Sequence, residues 1–183
     1  MSKYLKFKNF KPAIVLGPIT TVMTAILVVT TNLLPDTSGV MTDKLLAACE
    51  SLMGEGEFTI REDLEKPENI DKIISKNDGG LAFEVTASGY NQNSINVLVA
   101  MNGDGTVKGI APISISDSPG YGDKVEKDAD FFARFGGKND FADVAGVSGA
   151  TRTSKGVIKA AEIAVEAYKS IPIHEWELGG GNE

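Results

Sequence analysis

Ile95-Asn96-Val97-Leu98-Val99-Ala100-Met101, then Asn102-Gly103-Asp104-Gly105, then Thr106-Val107-Lys108-Gly109-Ile110-Ala111-Pro112-Ile113-Ser114-Ile115, is the stretch that decides the fold. Two apolar runs rich in β-branched residues flank four residues that favour tight turns. The pattern predicts two strands folded back on each other as a hairpin. Immediately upstream, Leu81 to Ala87 is another strand, bounded by Gly79-Gly80 and Gly89.

Helical signals lie on both sides of these strands. In Asp43 to Met53, Leu45, Leu46, Cys49 and Leu52 recur at helical spacing, and Gly54 and Gly56 follow. Residues 57–80 are polar and ambiguous, with a short strand expected near Lys72 to Ser75. After the hairpin, Ser116 to Gly122 reads as a loop and Asp130 to Phe135 as a short helix stopped by Gly136-Gly137. From Ser154 to about Ser170, Val157, Ile158, Ala161, Ala164, Val165 and Tyr168 fall on one face. That predicts an amphipathic helix with Thr153 or Ser154 as its N-cap, ended by Pro172. Hairpin strands first and a helix last place the domain in the α+β class rather than the parallel α/β class.

The N-terminus has a different character. Lys3, Lys6, Lys8 and Lys11 are the only charged side chains before Asp36, and residues 13–34 carry no charge. A helix of that length spans ~33 Å, the thickness of a bilayer core. The run holds Gly17, Pro18 and five threonines, and threonine can return its hydroxyl to the backbone in lipid. It is too long for the core of a cleaved signal peptide, and Asn32-Leu33-Leu34-Pro35 is a poor cleavage site. The expected order is a basic cytoplasmic segment at 1–12, a transmembrane helix at 13–34, an extracytoplasmic domain at 36–173 and a tail at 174–183. The lysines put the N-terminus in the cytoplasm.

Composition narrows the chemistry. The net charge is −7 despite those four lysines, so the outer domain is strongly acidic and a poor match for nucleic acid. Cys49 is the only cysteine and His174 the only histidine. One thiol forms no internal disulfide and no zinc cage. A lone histidine in a polar tail argues against triad hydrolysis. Phe131, Phe132 and Phe135 read as core packing. Asn102 to Gly105 lacks the further ligands of a calcium loop and reads as a turn.

One string points to a ligand: Gly146-Val147-Ser148-Gly149-Ala150-Thr151-Arg152-Thr153-Ser154, just before the last helix. A helix N-terminus offers free N–H groups and a positive dipole to an anion. Gly149 and Ala150 allow close approach, Ser148, Thr151, Thr153 and Ser154 add hydroxyls, and Arg152 adds a cation. A phosphate suits this place, and so does a plain capped turn.

Ser148-Gly149-Ala150-Thr151, followed by Ser154 and a helix, resembles the flavinylation motif of FMN-binding domains. Two further stretches agree in order and spacing. One is Ser118-Pro119-Gly120-Tyr121-Gly122-Asp123-Lys124 with Phe132, Phe135 and Gly137-Lys138. The other is Gly89-Tyr90 with Ile95 to Val99, Gly105 and Gly109-Ile110. Together with the single N-terminal span, they are similar to the G subunit of the Rnf ion-translocating ferredoxin:NAD oxidoreductase. They are also similar to the longer C subunit of the sodium-translocating NADH:quinone oxidoreductase.

The resemblance implies an electron-transfer subunit of a membrane ion-translocating oxidoreductase, with FMN bonded by phosphodiester to Thr151. An FMN transferase would attach it, and other membrane subunits of an Rnf-like complex would be its partners. It further implies that Ser148, Gly149, Ala150 and Thr153 hold the phosphate. Ser118, Pro119, Gly120 and Tyr121 would lie near the ring, with Tyr121 a stacking partner. The family usually carries an aspartate six residues before the threonine, whereas this chain has Ala145, its nearest acid being Asp143. That departure keeps a second reading open, an anchored assembly or interaction subunit of the same fold without covalent flavin.

Overall fold

The computed structural model describes residues 17–26 and 39–171. The chain divides into two units, residues 1–37 and residues 38–183.

In the first unit residues 17–26 are helical (α1) and their side chains are exposed. The hydroxyls of Thr20 and Thr21 both donate to the Gly17 carbonyl, and that of Thr24 donates to the Thr20 carbonyl. The hydroxyls of these three threonines therefore bond within the helix itself. Among the described residues no helix is long and apolar enough to cross a membrane. The rest of the expected 13–34 span lies outside the described residues, as do the 1–12 segment and the 174–183 tail.

The second unit is α+β. Its sheet has five strands in sequential order: β1 (Phe58–Ile60), β2 (Ile70–Lys76), β3 (Leu81–Ala87), β4 (Ile95–Met101) and β5 (Val107–Ile115). Every neighbouring pair is antiparallel. The β4–β5 hairpin forms as expected, with Asn102 N–H donating to the Thr106 carbonyl at its closure. The ambiguous 57–80 region supplies two strands. Here β2 extends beyond the expected 72–75 core, and β1 is a three-residue edge strand too short to show any periodicity.

Helices cover both faces. Helix α2 (Asp43–Met53) starts at Thr42, whose hydroxyl accepts from the Leu45 N–H. It buries Leu45, Ala48, Cys49 and Met53 against Ile74, Ala82, Leu98 and Ala100. Helix α5 (Thr151–Ser170) lies on the opposite face, where Val157, Ala160, Ala161, Ala164 and Val165 meet Ile73, Phe83, Val85, Val97 and Val99. Residues of alternating parity on each strand thus serve two cores, which is why β3 and β4 read as continuous apolar runs.

Two short helices, α3 (Gly122–Glu126) and α4 (Ala129–Ala133), lie beside β5. The first was not expected, and the second starts one residue before and ends two before the expected 130–135. Phe131, Phe132 and Phe135 are buried in the α5-side core, as their reading required, and Phe135 also meets Phe141.

Helix α5 begins earlier than its apolar face suggests. Thr151 is its first residue and Ala150 its N-cap, with no side-chain capping bond. Thr153 and Ser154 are therefore interior to the helix, which corrects the expected cap. Ser154 instead fastens the preceding turn to the helix. Its hydroxyl donates to the Ala150 carbonyl at 3.0 Å and accepts from Val147 N–H at 2.9 Å.

Candidate functional site

Two tight turns of the same kind meet near the start of α5. In one, the Ser118 carbonyl accepts from Tyr121 N–H at 3.1 Å, with Pro119 second and Gly120 third at φ +84°. Proline followed by a positive-φ glycine defines a type II turn. In the other, the Val147 carbonyl accepts from Ala150 N–H at 3.0 Å, with Gly149 third at φ +76°. A side chain at either glycine would strain the backbone.

The second turn delivers Thr151 as the exposed first residue of a 20-residue helix. First-turn N–H groups have no intrahelical acceptor, and Ala150 supplies no capping side chain. The helix end thus retains its partial positive charge. Lys124 of α3 reinforces it, with its ammonium 3.5 Å from where a Cβ on Gly149 would sit. Ser148 and Gly149 are exposed beside Thr151, while Ala150 is buried.

Asp117 joins the loops. One carboxylate oxygen accepts from the Ser94 hydroxyl at 2.5 Å and the other from the Thr153 hydroxyl at 2.6 Å. The backbone N–H groups of Tyr90 and Asn91 donate to it at 3.0 Å. Burial opposes the charged form, yet the bonds from Ser94, Thr153, Asn91 and Tyr90 outweigh it and hold the carboxyl down at about 2. Gly89 is part of this arrangement, because a Cβ there would collide with the Asp117 carboxylate.

The loop that Asp117 grips carries an exposed aromatic ring. Tyr90 lies parallel to Tyr121, with centroids 6.4 Å apart and planes within 9°. Arg152 places its guanidinium carbon 5.6 Å from the Tyr90 centroid.

The residues expected to act together are therefore brought into one region, with one change of role. Thr151, Ser148 and Gly149 form the exposed turn at the helix start. Pro119, Gly120 and Tyr121 are exposed and Ser118 half-buried on the facing loop. The Thr153 hydroxyl, however, is buried and committed to Asp117. Asp117-Ser118 stands where the resembled family usually has Glu-Thr before Pro-Gly, a mild change to which the sequence attached no role; Ser94 and the Arg152–Tyr90 contact had no reading of their own. No periodicity links residues 90, 117 and 153; the available signal was an acid directly preceding Ser118-Pro119-Gly120.

The arrangement fits a phosphate ester of a flat aromatic compound. Open N–H donors and cations stand beside the Ser148–Thr151 turn, and a planar ring pair stands next to it.

Comparisons with known proteins agree with that chemistry. Residues 89–166 match the FMN-binding domain family model, a span that holds both turns, Asp117 and most of α5. The chain is 32% identical over 123 residues to the G subunit of the ion-translocating oxidoreductase complex of Vibrio atlanticus (strain LGP32), covering 57% of this chain and 58% of that one. It is 29% identical over 109 residues to the protein of the same name from Shewanella piezotolerans (strain WP3 / JCM 13877), covering 50% of this chain and 51% of that one. The chain spans about half the length of these curated relatives.

Proposed function

Starting from a domain that resembles the FMN-binding domain family and the G subunits of ion-translocating oxidoreductases, we propose that this protein is a membrane-anchored electron carrier with FMN esterified to Thr151. The observation that carries the reading is the position of Thr151. It is an exposed hydroxyl on the first residue of a long helix, after a glycine turn, within the family-matched segment.

A threonine hydroxyl is a weak nucleophile. Maturation thus needs a transferase with FAD as donor. Thr151 Oγ forms the bond to the flavin-side phosphorus, the pyrophosphate bond of FAD breaks, AMP leaves, and the hydroxyl proton passes to a base on the transferase. Thr151 is the acceptor and catalyses nothing. Ser148, Gly149, Ala150 and Thr153 surround the ester, with Thr153 acting through its backbone because its hydroxyl serves Asp117. Lys124 and Arg152 offset the phosphate charge. Ser118 to Tyr121 border the ring. The bound flavin supplies redox chemistry in one-electron steps, and the protein sets its position and potential.

The same reading assigns residues 13–34 to a single transmembrane helix with the N-terminus cytoplasmic and the domain of residues 36–173 outside. The partners are the other membrane subunits of an Rnf-like complex. The hydroxyl-satisfied helix at residues 17–26 supports the anchor.

The test is in-gel flavin fluorescence after denaturation, with the chain co-expressed with an active FMN transferase and Thr151→Ala alongside. A fluorescent band lost in the variant is the expected result. A dark wild-type band beside a labelled control overturns covalent attachment. It would favour the second reading, an assembly or interaction subunit of the same fold. Ala145 is what favours that alternative: its carbonyl accepts from Arg134 at 2.6 Å, and Asp143 is occupied by Lys138 at 2.6 Å.

A further inference from the structure

We propose that Arg134 is a positioning residue for flavin transfer: its bond to the Ala145 carbonyl holds residues 145–149 in the shape that the transferase engages. The inference rests on the carrier reading above and adds to it a residue outside the acceptor string. On that reading Thr151 Oγ displaces AMP from the flavin-side phosphorus of FAD, and its proton goes to a base of the transferase. Arg134 takes no part in those bonds.

The approach to Thr151 has no regular structure to hold it. Residues 145–149 lie in neither helix nor strand, and Ala145, Gly146, Ser148 and Gly149 are exposed. Two side chains from different helices grip this stretch. From α5, the Ser154 hydroxyl accepts from Val147 N–H at 2.9 Å. From the end of α4, Arg134 Nη1 donates to the Ala145 carbonyl at 2.6 Å, across 11 positions of chain. A bond from a guanidinium is charge-assisted and stronger than a neutral one. Between the two contacts the chain runs close against α5, since a Cβ on Gly146 would lie 3.0 Å from Ser154 Cβ.

Arg134 stands on a firm base. It is the C-cap of α4, and its neighbours Phe131, Phe132 and Phe135 are buried in the α5-side core. Phe141 and Val144, just before the gripped stretch, are buried there too. The nearby Lys138–Asp143 pair joins side chain to side chain, with Asp143 largely exposed, and leaves the backbone of residues 145–147 to Arg134 and Ser154. An enzyme that esterifies Thr151 has to seat this exposed approach before transfer. A stretch already ordered is bound as it stands, whereas a loose one is ordered at the expense of binding. Loss of the Arg134 bond therefore acts on the capture of the chain by the transferase, not on the chemical step.

The experiment measures FMN incorporation into the full chain by a purified transferase with FAD, with the chain as the varied substrate. Arg134→Ala, Arg134→Gln and Arg134→Lys are compared with wild type at a temperature where all are folded, with Thr151→Ala as the blank. Amide hydrogen exchange at residues 146–148 is read before flavin is added. Arg134→Ala and Arg134→Gln are expected to raise KM for the chain by ~3–10-fold, the range that follows from ordering costs of this kind. They should leave kcat near wild type and speed exchange at 146–148. Arg134→Lys, which keeps a cationic donor of similar reach, is expected to recover most of both effects. Wild-type KM in the alanine and glutamine variants overturns the proposal. A raised KM with unchanged exchange also overturns it, because the loop would not be the means. If wild type takes up no flavin beside a labelled control domain, the carrier reading fails and the role of Arg134 falls with it. A labelled wild type with unaffected variants sinks the role of Arg134 alone.

Discussion

Asp117 and Thr153 lie 36 positions apart in the chain and 2.6 Å apart in space, with the threonine hydroxyl donating to the buried carboxylate. This bond joins the loop after β5 to the first turn of α5. Because Asp117 also accepts from Ser94, Tyr90 and Asn91, one carboxylate holds three segments. Asp117→Asn keeps the shape but turns an amide toward existing donors. It should destabilise the domain by ~1–3 kcal/mol, the cost of leaving buried donors unsatisfied. An unchanged urea midpoint would refute the hub. The pH sign follows from the depressed carboxyl. Its contribution is fully present above the unfolded value of ~3.9 and is lost as pH falls toward about 2. Wild type should therefore weaken between about pH 4 and 2, with a shallower slope in Asp117→Asn. Asp63, Asp78, Asp104 and Asp143 are also held below the usual range, so some slope should remain.

Gly156 sits inside α5, where helix propensity alone makes Gly→Ala stabilising by ~1 kcal/mol. The structure predicts the opposite sign. A Cβ there would run into Ile95 Cδ1 and come within 2.7 Å of the Ser88 carbonyl oxygen. Overpacking of that kind costs ~1–3 kcal/mol. Thermal melts of Gly156→Ala should show a loss, and a gain would mean that α5 can move away from the β3–β4 connection.

Lys72 and Glu84 are buried cross-strand partners with Nζ and Oε2 2.8 Å apart. Removing one partner strands a buried charge, so Glu84→Gln or Lys72→Met alone should cost ~3–5 kcal/mol. Replacing both by apolar residues of similar volume should recover most of it. A double variant as unstable as either single one would argue that the pair is irreplaceable in this core.

Cys49 is fully buried on the α2 face. Burial, then the negative charges of Glu84 and Glu50, push its thiol up to about 11. It should resist alkylation at about pH 8, near the ordinary thiol value, until the domain unfolds. Fast labelling of the folded protein would contradict both its burial and its protonation.

Ala145 stands where FMN-binding domains usually carry an aspartate. It is exposed, so an acid there would face solvent and an approaching enzyme. Ala145→Asp should raise the flavinylated fraction read by intact mass, with Thr151→Ala removing it in both backgrounds. An equal fraction with and without the aspartate would show that the transferase does not read this position in the chain.

The strands 81–87 and 95–101, the 102–105 turn, the two long helices and the α+β class were legible in the sequence. Each rests on local physics: side-chain period, turn residues and helix-stopping glycines. The Ser148–Thr151 string was legible too, as a small-residue approach to a helix end with a phosphate-like preference. What only the tertiary structure decided is how that string is held. The start of α5 at Thr151 is set by the Ser154 hydroxyl bonded back to Val147 and Ala150, which the apolar face of the helix does not report. The Thr153 hydroxyl is aimed at Asp117, and Tyr90 is aligned with Tyr121, because antiparallel strands return distant loops to one end of the sheet. Hydrogen bonds between residues 90, 117 and 153 depend on that return and leave no period in the chain, whereas the elements themselves are written residue by residue.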